Sequence, residues 1–194
     1  MSDYIELIDK MKGLGHGLMP KHQYVAIADV LSKCVPCRLL VFGLGYDSVI
    51  WDTMNLDGET VFVEDDLEWT EKISNECPLH GQIKHVHYQT KVENHKDIGY
   101  DVSKLQMDMG LDGSWDFVFV DAPLGHQPPR PFAGPGRMIS IYQAYQLLKS
   151  GGIAVVDDMT RPIEREYSKH FFGEENMFNI VDNKIGFFYQ KEYA

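Results

Sequence analysis

Acidic residues end three apolar, strand-like runs, where their carboxylates are placed to do chemistry. "TVFVE" ends in Glu64, "DFVFVD" ends in Asp121, and "IAVVDD" ends in Asp157 and Asp158. Because the carboxyl ends of parallel strands meet at one edge of a sheet, we expect these side chains to face a common site. Carboxylates in such a site can accept hydroxyl groups, hold a cation or take up a proton.

Asp121 and the pair Asp157 and Asp158 follow runs that are predicted to be neighbouring strands. Clustered carboxylates repel one another unless a cation lies among them. The sequence therefore predicts a divalent metal site, for Mg²⁺ or Mn²⁺, held by these three acids. Asp121 and Asp158 are also candidate catalytic residues. In the alternative interpretation, Asp157 or Asp158 caps the following helix and Asp121 only orders its loop.

A glycine turn precedes Glu64 at a spacing typical of nucleoside-binding sites. The run "LLVF" leads into Gly43 and Gly45, and Glu64 follows 21 residues after Gly43, where its carboxylate can accept both hydroxyl groups of a ribose. Glycine lets the backbone approach a ligand closely, and Asp47 or Ser48 is expected to cap the next helix. The alternative is a glycine turn beside a solvated acid.

The kind of nucleoside follows from what the turn lacks. A dinucleotide fingerprint requires a third Gly or Ala, where this chain has Ser48, and the sequence contains no G-x-x-x-x-G-K-[ST] phosphate loop. We therefore expect S-adenosylmethionine, which carries no phosphate, in preference to a nicotinamide dinucleotide. The expected cofactor-binding residues are Gly43, Gly45, Tyr46, Ser48, Glu64 and Asp121.

Alternating helical and strand-like patterns predict the elements that position these residues. Helices are predicted near residues 3–12, 20–34, 48–55, 67–75, 137–149 and 162–172, and strands at "LLVFG", "TVFVE", "IKHVHY", "DFVFVD", "IAVVD" and "IGFFYQ". This order predicts an α/β fold with a mostly parallel, seven-stranded sheet, an antiparallel last strand and helices on both faces. We expect residues 1–194 to form one domain, in which helices within residues 1–35 cover the cofactor site.

Four segments of the chain resemble the glucuronoxylan 4-O-methyltransferase family, which includes the irregular-xylem proteins. They are "PCRLLVFGLGYDSVIW", "TVFVEDD", "WDFVFVDAP" and "PGRMISIYQA", in the family's order within about residues 35–172. The resemblance implies a class I methyltransferase (Rossmann-like) fold, S-adenosylmethionine as donor, and Gly43, Gly45 and Glu64 as cofactor residues. The chain departs from the family at Tyr46, where the plant proteins usually have His, and at "VVDDM", which replaces a His-Asp pair. It is also expected to lack the membrane anchor of the plant proteins. These departures bear on the acceptor sugar and the compartment.

A Pro- and Gly-rich segment, "APLGHQPPRPFAGPGR", covers residues 122–137 and follows the strand that ends in Asp121. Loops at this edge of a sheet carry function, so we expect a substrate loop. His126 is a candidate catalytic residue that could take a hydroxyl proton, and Arg130 and Arg137 could bind the carboxylate of an acidic sugar. The alternatives are a solvated His126 and a salt bridge from Arg137 to a nearby acid.

The composition disfavours several classes of partner. The 194 residues carry 29 acidic and 18 basic side chains, a formal net charge of −11, which argues against binding to a nucleic-acid backbone. No run approaches the roughly 20 apolar residues of a membrane span, and the acidic, amphipathic start is no secretory signal. We expect no nucleic-acid or membrane partner, and a cytoplasmic location, or the Golgi lumen if the chain is an excised domain. The oligomeric state stays open.

Together, the patterns and the resemblance predict an enzyme that transfers a methyl group from S-adenosylmethionine to a sugar hydroxyl of a glycan or polysaccharide, assisted by a divalent metal. The acceptor is expected to be a uronic acid or a deoxyhexose. The alternatives are a catechol-like or amine methyltransferase for small molecules, and a non-catalytic protein that assists polysaccharide synthesis.

Overall fold

The computed structural model describes residues 3–17, 19–125 and 134–191, and its central element is a seven-stranded sheet. The strands are β1 (Arg38–Phe42), β2 (Glu59–Glu64), β3 (Gln82–His85), β4 (Trp115–Val120), β5 (Leu148–Val156), β6 (Met177–Val181) and β7 (Ile185–Tyr189). Their order across the sheet is β3-β2-β1-β4-β5-β7-β6. The first five strands in this order are parallel, and β7 is antiparallel to both of its neighbours. The predicted α/β class and the antiparallel last strand are confirmed.

Helices cover both faces of the sheet, because successive strand residues point to opposite sides. The helices are α1 (Asp3–Gly13), α2 (Lys21–Leu31), α3 (Ser48–Met54), α4 (Leu67–Glu76), α5 (His95–Ile98), α6 (Val102–Leu105), α7 (Met138–Leu147) and α8 (Pro162–Phe172). Short 3₁₀ turns occupy Val92–Asn94 and Glu174–Asn176. Leu40 and Phe42 of β1 belong to the core formed with α7 and α8, whereas Leu39 and Val41 belong to the core formed with α1 to α4.

Several elements differ from the sequence prediction. The strand predicted at "IKHVHY" is shorter, because β3 ends at His85, and the helix predicted at residues 137–149 ends at Leu147, because β5 begins at Leu148. The strand β6 had been assigned to no run. It is the edge strand of the sheet and contains no buried residue, so it lacks the apolar alternation that reveals a half-buried strand.

Within the described residues, no helix combines the length and the apolar character that crossing a membrane requires.

Candidate active site

A cavity of about 1000 Å³ opens where β1, β2, β4 and β5 end. Its lining includes the glycine turn after β1, the acids that end β2, β4 and β5, and residues of the segment that joins α1 to α2. These groups are spread over more than a hundred residues of the sequence, from Gly43 to Asp158, and the parallel topology brings them to one opening. The volume is that of a site for ligands of drug size or larger.

The turn after β1 needs glycine for a steric reason. Gly43 has a φ of +122°, and a Cβ built on it would lie 3.1 Å from the Cβ of Ala122. Its N–H donates to the carbonyl of Val63 at 2.8 Å, which holds the turn against β2. The Gly45 N–H donates to Oγ of Ser48 at 2.9 Å, so the Ser48 hydroxyl orders the turn from its other side.

Glu64 is almost fully buried, and three backbone N–H groups fix its carboxylate. Oε2 accepts the N–H of Leu44 at 3.0 Å, and Oε1 accepts those of Asp65 at 2.9 Å and Asp66 at 3.0 Å. Burial raises the pKa of the Glu64 carboxyl, although these donors act in the opposite direction. Glu64 is therefore not the solvated acid of the alternative interpretation, and its carboxylate lines the cavity in a fixed orientation.

Aromatic side chains form one wall of the cavity beside the turn. The ring centroid of Tyr46 lies 3.8 Å from that of His16 and 5.9 Å from that of Trp69. The indole N–H of Trp69 donates to the carbonyl of Leu44 at 2.6 Å, and the Tyr46 hydroxyl donates to Glu76. His16 lies in the segment between α1 and α2, so that segment contributes to this wall.

The sequence suggested that Asp47 or Ser48 caps α3. Asp47 occupies the N-cap position, but its side chain makes no capping bond. Its carboxylate accepts the hydroxyl of Tyr24 at 3.3 Å instead, and both residues line the cavity. Burial raises the pKa of Asp47, and the negative charge of Asp157 raises it further.

The three acids predicted to form a metal site do lie together. Each of Asp121, Asp157 and Asp158 offers a carboxylate oxygen within 4.8 Å of the others. The Asp157 carboxylate also accepts the N–H of Asp158 at 2.7 Å. Neither Asp157 nor Asp158 caps α8, because Arg161 occupies the N-cap position and makes no side-chain capping bond. The oxygen donors are of the type that a hard divalent ion prefers.

Three basic side chains contact the same carboxylates. Nη2 of Arg137 lies 3.2 Å from Asp121 and 3.0 Å from Asp158, and Nη2 of Arg161 lies 2.9 Å from Asp158. Lys184 Nζ lies 3.2 Å from the Asp157 carboxylate. The positive charge that clustered acids require is thus supplied in part by the chain itself, and Arg137 adopts the salt-bridged arrangement of the alternative interpretation.

Asp121 combines exposure to the cavity with a strongly shifted pKa. Burial raises the pKa of its carboxyl well above the ordinary value, and Asp157 and Asp47 raise it further, while Arg137 lowers it. A carboxyl group whose pKa is raised takes up a proton more readily and is suited to proton transfer.

Comparison with known proteins identifies the family. The model of the family described as IRX15/IRX15L/GXM matches residues 22–106 and 106–188. The chain belongs to this family. Glucuronoxylan 4-O-methyltransferase 1 from Arabidopsis thaliana is 36% identical over 76% of this chain and 59% of its own length. Arabinogalactan O-methyltransferase 1 from the same plant is 32% identical over 79% of this chain and 61% of its own length. The chain thus spans about three-fifths of these relatives.

A solved structure confirms the predicted class I methyltransferase fold. The S-adenosylmethionine-dependent O-methyltransferase from Thermotoga maritima superimposes with a TM-score of 0.60 at 15% identity, over 97% of this chain and 72% of its own.

The expected substrate loop is described only at its two ends. The Gly136 N–H donates to the carbonyl of Leu124 at 3.1 Å. A Cβ on Gly134 would lie 2.3 Å from the same carbonyl oxygen, so the two ends of the loop are in close contact. His126 and Arg130 lie outside the described residues. Arg137, at the far end, is buried, and its Nε donates to the carbonyl of Pro123 at 3.3 Å.

Sequence reasoning missed several residues that line this cavity. Tyr24 lies on α2 and reads as an ordinary core aromatic, while Arg161 and Lys184 read as surface charges. The acid cluster itself was a signal for Arg161 and Lys184, because three acids at one edge of a sheet repel one another unless cations lie nearby. Nothing in the pattern shows that the β6–β7 hairpin brings Lys184 back to that edge.

Proposed function

We propose that the protein transfers a methyl group from S-adenosylmethionine to a hydroxyl of a sugar residue in a glycan or polysaccharide. One observation carries the proposal, namely that a single cavity contains both the glycine turn with Glu64 and the acids around Asp121. Donor and acceptor must meet in one enclosure for direct transfer. Membership of a family that includes named glucuronoxylan and arabinogalactan O-methyltransferases supports a carbohydrate acceptor.

The residues that would hold the donor surround the turn. Gly43 and Gly45 permit close approach of the ligand to the backbone, and Ser48 stabilises that turn. Glu64 keeps one acceptor site, on Oε2, for a ribose hydroxyl. Tyr46 offers an aromatic wall. Bound S-adenosylmethionine supplies an electrophilic methyl group on a sulfonium centre.

The chemistry required of the protein is orientation and proton removal. The acceptor oxygen forms a bond to the methyl carbon while the bond from that carbon to sulfur breaks and its electron pair stays on sulfur. The hydroxyl proton passes to a carboxylate, for which we propose Asp121, whose pKa is raised by burial. Asp158 lies within the same cluster, and His126 is a third candidate outside the described residues.

A divalent metal fits the donor set of Asp121, Asp157 and Asp158. Such an ion, Mg²⁺ or Mn²⁺, would supply Lewis acidity that lowers the pKa of a nearby hydroxyl. It would share these carboxylates with Arg137, Arg161 and Lys184. Those contacts would have to rearrange in part for an ion to enter.

The acceptor is proposed to be a uronic acid residue, with a neutral deoxyhexose as the second candidate. Arg130, which lies outside the described residues, is proposed to bind the sugar carboxylate. Arg137 already bonds Asp121 and Asp158, so any role in acceptor binding would be shared with holding those acids in place.

The proposal is tested by incubating the protein with methyl-labelled S-adenosylmethionine and a panel of acceptors. The panel contains glucuronic acid-substituted xylan fragments, arabinogalactan, a neutral deoxysugar glycan and catechol. Label is expected in the uronic acid-bearing glycans. Label in catechol alone would overturn the carbohydrate proposal. Binding of S-adenosylhomocysteine without turnover of any acceptor would favour the non-catalytic alternative.

A further inference from the structure

Asp47 differs from the three clustered acids of the cavity, Asp121, Asp157 and Asp158, in having no cationic partner within the part of the chain that the structure describes. Asp121, Asp157 and Asp158 each contact Arg137, and the latter two also contact Lys184. The Asp47 carboxylate has the Tyr24 hydroxyl as its side-chain partner. A carboxylate held away from water without a cation is costly, so its position calls for an explanation.

The surroundings of Asp47 fix its carboxylate beside the glycine turn. A Cβ on Gly45 would lie 2.7 Å from Oδ1 of Asp47, so the absence of a side chain there leaves room for the carboxylate. The Tyr24 hydroxyl lies on the other side, and a Cβ on Gly17 would lie 2.6 Å from that hydroxyl. Tyr24 is almost fully buried, so its hydroxyl offers Asp47 a rigid donor.

Apart from Tyr24, the contacts of Asp47 stay within its own turn. The side chain makes no capping bond across the first turn of α3, and its backbone donors are the N–H groups of Asp47 itself and of Ser48. By contrast Asp52, on the same helix, accepts the N–H groups of His80 and Gly81 at 2.7 and 2.8 Å, as an acid that stabilises the fold does. Asp47 lines the cavity, and repulsion from Asp157 adds to the effect of burial on its pKa. These features are those of an acid that could bind a cationic group of a ligand.

We propose that Asp47, held by Tyr24, binds the α-ammonium group of the methionine part of S-adenosylmethionine. The inference rests on the proposed function and assigns a residue to one end of its donor. Glu64 would bind the ribose at one side of the glycine turn, and Asp47 would bind the amino-acid part at the other. Tyr24 is then a positioning residue, which links α2 to the donor.

The test compares two ligands that differ in the amino-acid part. S-adenosylhomocysteine carries the ammonium group, whereas 5′-methylthioadenosine keeps the adenosine and the thioether but lacks the amino acid. Titration calorimetry on Asp47→Asn should show S-adenosylhomocysteine binding weakened about tenfold or more, which corresponds to about 1.4 kcal/mol. Binding of 5′-methylthioadenosine should stay within about twofold of wild type. Asp57→Asn, the same change at an exposed position, should alter neither ligand.

Tyr24→Phe provides a second variant that keeps the buried ring and removes only the hydroxyl. It should weaken S-adenosylhomocysteine, by less than Asp47→Asn does, and leave 5′-methylthioadenosine unchanged. If both ligands weaken equally in the two variants, Asp47 only shapes the glycine turn and the proposal is overturned, as it is if neither ligand weakens. A wild-type protein that binds neither ligand would overturn the proposed function itself, and this inference with it.

Discussion

Replacing Glu64 by glutamine tests the residue proposed to bind the ribose, and the structure shows what the amide would lose. The glutamine carbonyl can still accept the N–H groups of Asp65 and Asp66, which both reach Oε1 in the wild type. Its NH₂ group would face the Leu44 N–H, which now donates to Oε2 at 3.0 Å. One buried donor would be left unpaired, at a cost of about 1–3 kcal/mol. Because burial raises the pKa of Glu64, removal of its charge should move the net loss towards the lower end of that range.

Two measurements separate the effect on folding from the effect on binding. Urea unfolding should show a loss of about 1 kcal/mol, and the midpoint of thermal unfolding should fall by about 2–4 °C for a chain of this size. A lost hydrogen bond from a ribose hydroxyl to a charged acceptor is worth about 1.5–3 kcal/mol. S-adenosylhomocysteine and 5′-methylthioadenosine should therefore both bind about ten- to a hundredfold more weakly.

The matched control is Glu71→Gln, the same change at an exposed position of α4 beyond its first turn, which should leave stability and affinity unchanged. Unchanged affinity in Glu64→Gln would remove Glu64 from the ribose site. Unchanged unfolding would refute the argument from its three backbone donors.

Three further predictions concern the charges of the cavity. Arg137→Gln removes the cation that contacts Asp121, whereas Asp157 and Asp158 keep Lys184 and Arg161. It should destabilise the protein by about 3–5 kcal/mol in urea unfolding, whereas the exposed Arg165→Gln should cost less than about 1 kcal/mol; equal effects would contradict the buried-pair argument. The pKa of Asp47 is raised in the folded protein, so the wild type loses stability as the pH rises from the ordinary carboxyl range through that raised value. Asp47→Asn does not titrate, so it should unfold at a higher temperature than the wild type at pH 7 and at a similar one near pH 4; a lower temperature at pH 7 would assign Asp47 a structural role. Methyl transfer should fall in excess chelator and return with Mg²⁺ or Mn²⁺, and full turnover in chelator would show that the basic side chains suffice.

The acids of the site were predictable because their position follows from two simple rules. An acid that ends an apolar run ends a strand, and parallel strands bring their carboxyl ends together. Glu64, Asp121 and Asp157 were found in this way, and the fold class followed from the same alternation. The glycine turn was predictable because two glycines follow an apolar run, and the positive φ of Gly43 shows why a glycine stands there.

The partners of those acids were not predictable, because they depend on returns of the chain that no local pattern encodes. Lys184 follows β6, an exposed edge strand without apolar alternation, and it reaches Asp157 only once the hairpin is formed. Arg137 was predicted to bind a sugar carboxylate, because a guanidinium can pair with one, and a salt bridge to a nearby acid was the alternative. Its burial beside Asp121 became visible only with the packing of α7.

The charge pattern also explains what the antiparallel end of the sheet contributes to the site. The turn between β6 and β7 carries Asp182, which accepts the side-chain amide of Gln23 on α2 at 2.8 Å. Two residues further on, Lys184 contacts Asp157 at the end of β5. One hairpin therefore contacts both α2, which carries Tyr24, and the acid cluster. Because removing one member of a buried ion pair leaves the other charge uncompensated, loss of the hairpin contact should disturb the acids and the α2 side of the cavity together.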